Sequence, residues 1–216
     1  MKTGKYTTAI LGLIMAGVSF TSCVRNDYYN TEPGHNHNTG YQNEFYDDFS
    51  SDRYNWSYGS PQDSAYANVQ NGQLQFVNYA LAGLQTAVVS TGANFNGDFS
   101  VSAKIKSDHR MGIIFGASNS DYGYSFTLDD SGSFLLYKEG SPSLLGSAII
   151  NWTSSSAITM GAWNILKVEQ SGNYWTGTIN GIQVFQVAAQ PISGSQCGFI
   201  LLPNTVGYAD DLDVKW

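Results

Sequence analysis

From Phe45 onward the apolar residues recur at every second position, and no segment carries a convincing 3.6-residue helical period. In Phe99-Ser-Val-Ser-Ala-Lys-Ile105, the residues Phe99, Val101, Ala103 and Ile105 share one face, and Leu74-Gln-Phe76 and Tyr124-Ser-Phe-Thr-Leu128 repeat the pattern. Successive side chains of a strand point to opposite faces, so each run predicts a strand with one face for a core. Turn dipeptides punctuate the runs: Asn71-Gly72, Asn96-Gly97, Ser131-Gly132, Ser171-Gly172 and Asn180-Gly181. Asn-Gly suits the positive φ of a tight hairpin, so Tyr174–Ile179 and Ile182–Val187 are expected to pair. About 13 short strands with Gly-rich turns and no helix predict an all-β, two-sheet antiparallel sandwich or a barrel. No repeat is visible, which argues against a propeller or β-helix.

One run departs from alternation. Met111-Gly-Ile-Ile-Phe-Gly-Ala117 is apolar at nearly every position, as expected of a central strand covered on both faces. Gly112 and Gly116 fall on the same face by count. They leave either the floor of a groove or relief at a bend.

The start of the chain is of another kind. Lys2 and Lys5 precede an apolar run, Ala9 to Phe20, and then Thr21-Ser22-Cys23. A basic start, a short apolar middle and small residues predict a secretory signal over 1–22, and the run is short for a membrane span. The ending resembles a bacterial lipobox, which implies lipidation of Cys23. Val24 rather than Asp follows, which points to the outer membrane. Residues 23–44 are polar, without periodicity, and read as lipidated Cys and flexible tether, leaving 45–216 as one domain. His35 and His37 lie in that tether without further ligands. Lipidation at Cys23 would leave Cys197 alone in the apolar run Cys197–Leu202, expected as a buried, inert thiol.

Removing Lys2 and Lys5 from the ten basic residues leaves eight against 17 acidic ones, a net charge of −9. Such a surface excludes nucleic acid as an expected partner, and it excludes anionic lipid headgroups, so contact with a membrane is expected through the lipid anchor only. A monomer is expected.

Several motifs in order resemble the concanavalin A-like jelly roll of legume lectins, laminin G domains and family 16 glucanases. They are Phe45-Tyr-Asp-Asp-Phe49 with Trp56, Asn71-Gly-Gln-Leu74, Asn96–Ile105, Met160-Gly-Ala-Trp-Asn164, Ile179-Asn-Gly-Ile-Gln-Val184 and the closing Tyr208–Val214. The resemblance covers most of 45–216 and implies a last strand beside the first. The glucanases carry Glu-x-Asp-x-Glu on one strand, because residues two apart line the groove together. The matching strand here, Tyr122–Leu128, has no carboxylate; it turns Gly123, Ser125 and Thr127 toward the groove. Paired-carboxylate hydrolysis is therefore disfavoured. Acids from separate strands, such as Asp63, Asp108 or Glu139, remain the alternative. The resemblance also implies a structural calcium where the termini meet, with backbone carbonyls of the first strand and the following turn joining an Asp of the last strand; the matching positions are Asp48, Gly72 and Asp211. The other reading there is a solvated acidic end at Asp210, Asp211 and Asp213.

Sugar C–H faces pack on aromatic rings, so Tyr122, Tyr137 and Trp152 are the candidate platforms, with Arg110 as donor and Ser125 and Thr127 on the floor. Trp56, Trp163 and Trp175 are expected to pack in the core or at edges. The preferred expectation is non-catalytic polysaccharide or oligosaccharide capture. A hydrolase with dispersed acids and an adhesion protein are the alternatives.

Overall fold

The structure is a computed structural model, and it describes residues 40–119, 122–141 and 143–216. The expected signal, Cys23, His35, His37 and the tether up to residue 39 lie outside the described residues. Fourteen strands and no helix are found among the described residues. They are β1 Glu44–Asp47, β2 Ala65–Gln70, β3 Gln73–Asn78, β4 Gln85–Ser90, β5 Phe99–Ser107, β6 Met111–Ala117 and β7 Tyr124–Leu128. The rest are β8 Ser133–Lys138, β9 Ser147–Ser154, β10 Asn164–Ser171, β11 Tyr174–Ile179, β12 Ile182–Ala188, β13 Gln196–Leu201 and β14 Thr205–Lys215.

Two antiparallel sheets form a sandwich, as the alternation predicts. The first runs β12-β11-β10-β5-β14-β3-β2, and the second β4-β13-β6-β7-β8-β9. β14 organises the first sheet. One edge pairs with β5 along Gly207–Asp210 and Asp213–Lys215; the other takes β3 along Thr205–Ala209 and β1 along Leu212–Lys215. Between these stretches the register skips from Asp210 to Asp213, and Asp211 takes a φ of 49°. Gln42 and Asn43 donate backbone bonds to the Trp216 carbonyl, so the pairing extends into residues expected as tether.

The facing strands bury an aromatic-rich core. Trp175 is fully buried with the rings of Phe99, Phe115 and Tyr124 at 4.8–6.4 Å, and its indole N–H donates to Gln170 Oε1 at 2.7 Å. Trp56 is also buried, donating to Asp47 Oδ2 at 2.8 Å, whereas Trp163 stands 39 % exposed. Cys197 is buried between the sheets, and burial pushes its thiol up to about 12, which makes it inert.

The two glycines of β6 part company. Gly116 sits at a bulge, at φ 68°, where a Cβ would come within 2.5 Å of Ile192, a residue packed against the core. It serves the bend. Gly112 keeps the regular pleat opposite Thr127, and a Cβ there would strike the Phe126 carbonyl at 2.2 Å.

Candidate functional site

The outer face of the second sheet follows from its register. With Met111, Ile113 and Phe115 in the core, the alternate residues Gly112 and Ile114 face outward. Pairing sets two rows across five strands. One is Val88, Gly198, Ile114, Ser125 and Tyr137; the other is Thr86, Ile200, Gly112, Thr127 and Leu135. Ser125 and Thr127 thus lie where the alternation of Tyr122–Leu128 places them, but each is only 1 % exposed. Ile114 and Ile200, which the sequence reading did not single out, are equally buried and complete an apolar patch beside them. Only cross-strand register brings these four together, so no local pattern announces the patch.

The polar atoms of this face are unevenly satisfied. The Ser125 hydroxyl donates a short hydrogen bond to Glu139 Oε1. Burial pushes the Glu139 carboxyl above the ordinary carboxylate range, and the bond from Ser125 draws it partly back. The buried Thr127 hydroxyl has no hydrogen-bond partner among the described residues. Leaving such a group unpaired costs about 1–3 kcal/mol, a cost that this closed part of the sheet carries.

Arg110 and Trp152 form a strap over one end. The Arg110 guanidinium lies 5.9 Å from the centre of the Trp152 ring. Arg110 precedes β6 and Trp152 is on β9, so the contact crosses above β7 and β8. At the other end Tyr137 packs on the turn, where a Cβ on Gly146 would meet its ring at 2.4 Å. Tyr122 is anchored by its N–H donating to the Gly140 carbonyl, with its ring 42 % exposed. Tyr137 pairs with Ala148, and Trp152 lies four residues further along β9, so the two aromatic ends are set apart along the strand. The fold brings all six expected residues to this sheet, two on its floor and four along its rim.

The three dispersed acids do not share this face. Asp63 caps its own turn, accepting from the Ser60 N–H at 2.7 Å ahead of β2. Asp108 accepts from the Val206 N–H at 2.7 Å, with β14 and β3 between it and Asp63. Glu139 alone reaches the second sheet's outer face.

The expected calcium ligands do lie around one irregularity. Asp48 follows β1, Gly72 forms the tip between β2 and β3, and Asp211 is the residue left over between their pairings on β14. The carboxylate of Asp211 is nevertheless committed. Tyr46 donates its hydroxyl to Oδ1 at 2.6 Å, and the Lys104 ammonium pairs with Oδ2. Burial acts to raise this carboxyl, yet the bonds from Lys104 and Tyr46 hold it below its usual range. Asp48 Oδ1 accepts from the Ser50 N–H of its own turn. Among the described residues no three acids, histidines or cysteines gather as a metal site. A lysine ammonium holds the cation position beside Asp211, so this carboxylate does not fit a calcium ligand as it stands.

No family model matches the chain, and no curated protein matches it. Solved structures do. A CBM2 module of the evolved Dit of Lactobacillus casei BL23 phage J-1 is 10 % identical, with a TM-score of 0.53 over 80 % of this chain and 94 % of that one. The carbohydrate-binding module CBM66 from Bacillus subtilis is 14 % identical, with a TM-score of 0.50 over 74 % of this chain and 99 % of that one. A sialidase is matched at 14 % identity and a TM-score of 0.51, over 74 % of this chain and 16 % of its own. At such identities the likeness establishes the β-sandwich fold and leaves the activity to the residues.

Proposed function

We propose that the outer face of the second sheet captures a neutral polysaccharide without cleaving it. The carrying observation is the pair of part-exposed rings, Trp152 and Tyr122, at the two ends of a face floored by Ser125 and Thr127 beside Glu139. Rings at opposite ends of the face would stack sugar units that are not adjacent in the chain. A lone carboxylate cannot supply both acid and nucleophile, which favours capture over hydrolysis. Two of the solved structures of this fold are named as carbohydrate-binding modules, which lends the reading support by analogy. The signal-like start and Cys23 favour a lipid anchor in a bacterial outer membrane.

Calorimetry against a panel of neutral polysaccharides tests the reading. Trp152→Ala and Tyr122→Ala are expected to weaken binding roughly tenfold or more, with no reducing sugar released. No binding at millimolar ligand, or binding indifferent to both variants, would overturn it.

A further inference from the structure

A concavity lies on the other sheet, among residues that take no part in the proposed capture face. It has a volume of about 580 Å³, within the range of small-ligand sites. Its walls come from segments far apart in sequence: Tyr41 ahead of β1, Asp98 ahead of β5, Lys167 and Glu169 on β10, and Trp216 after β14. Register explains the convergence. β10 lies beside β5 with Glu169 opposite Ser100, and β5 lies beside β14 with Ser100 opposite Lys215. Backbone bonds between Trp216 and Asn43 then draw Tyr41 across the end of these strands.

The chemistry of the lining narrows the ligand. Lys167 and Glu169 form an ion pair and cancel one another. Burial first, then the negative charge of Glu169, push the Tyr41 hydroxyl up to about 12, so it stays a donor. Asp98 spends Oδ1 on the Gly172 N–H at 2.8 Å. The wall keeps one net negative charge, that of Asp98, beside two half-buried rings, so it does not suit an anion. It suits a ligand with hydroxyls for the carboxylates and C–H faces for the rings.

The geometry points to a second saccharide site here, formed by Tyr41, Trp216, Glu169 and Asp98, separate from the second sheet and independent of the reading given for it. Because Tyr41 precedes β1, occupation of this site would fasten the segment leading into the domain.

Residues 40–216 hold all fourteen strands and the whole core, so a chain beginning at Asn26 contains the folding unit. Backbone amide shifts of this chain are followed while neutral oligosaccharides of glucose, mannose, xylose and N-acetylglucosamine are added. At least one is expected to shift Gln42, Asn43, Asp98 and Ser171 together. Tyr41→Ala and Glu169→Gln should each weaken that response about tenfold, while Trp152→Ala leaves it unchanged. If no saccharide moves these amides at millimolar concentration, or if the response survives Tyr41→Ala and Glu169→Gln, the second site is refuted. Shifts confined to the surroundings of Trp152 and Thr127 would refute it while supporting capture at the second sheet. Shifts confined to the cavity would do the reverse.

Discussion

At the scale of single residues, the decisive groups are those whose partners are built in or missing. Lys104 is the first. Its ammonium neutralises Asp211 and faces Asp210 across the strand pair, at a place where the fold resemblance implies a divalent cation. The hydrogen bond to Asp211 raises the pKa of Lys104 in turn. Melting of the native chain is therefore expected to be indifferent to chelator and to millimolar calcium. Lys104→Ala leaves Asp48, Asp210 and Asp211 without that cation; it should lower the melting temperature by a few degrees, and calcium should restore part of the loss. A chelator-sensitive native chain would reverse this assignment. Glu139 is the second. Its carboxyl is raised by burial, so ionisation opposes folding at neutral pH. Glu139→Gln keeps an acceptor for Ser125 and removes the charge. It should raise the melting temperature near pH 7, with the gain vanishing below about pH 4, where the unfolded chain is protonated too. Thermal scans of both proteins at the two pH values decide it.

At the scale of elements, the turns were the most legible part of the sequence. Asn180-Gly181 joins β11 to β12 with φ values of 52° and 78°, the left-handed pair that a two-residue hairpin demands. Asn180 does more than turn. Its side chain donates to the Ala157 carbonyl and to Asn164 Oδ1, both at 2.9 Å, and accepts from the Ile165 N–H at 2.9 Å. Asn180→Ala should cost about 2–3 kcal/mol, more than the turn preference alone, whereas Asn180→Gly should cost less than Asn180→Ala at the turn yet still lose the three bonds. Chemical denaturation of the three proteins measures the order. The alternation of β3, β5 and β7 was legible for the same reason as the turn: both are local. The burial of Ser125 and Thr127 was not legible, because it depends on neighbours that only cross-strand register supplies: Gly112 and Ile114 on β6, Leu135 and Tyr137 on β8. Tyr41 was unreadable for a related reason. It stands in a polar stretch without period, and only the bonds between Asn43 and Trp216 bring it onto the sheet.

At the scale of the molecule, the acids of this chain are divided between two opposing effects on stability. Burial raises the carboxyls of Asp47, Glu139, Asp210 and Asp213 above their usual range. Asp48 and Asp211 are lowered, the first by backbone and side-chain hydrogen bonds from Ser50, the second by Lys104 and Tyr46 against the opposing effect of burial. A group raised on folding contributes stability below its unfolded pKa and loses it as pH climbs through the raised value. A lowered group contributes above its unfolded pKa and loses it as pH falls through the depressed value. The four raised acids therefore weaken the fold from about pH 4 upward, while the two lowered ones weaken it only below that point. Self-repulsion acts in the same direction as the raised acids, since the whole chain carries a net charge of −7 near neutrality and loses it on acidification. Stability should thus peak in mild acid, near pH 4 to 5, and decline toward pH 8, with the decline reduced in Glu139→Gln. Melting temperatures across about pH 3 to 8 test this directly. A profile that is flat or rises from pH 5 to 8 would mean that these carboxyls reach solvent in the folded chain, and that the second sheet's outer face is more open than its 1 % exposed Ser125 and Thr127 indicate.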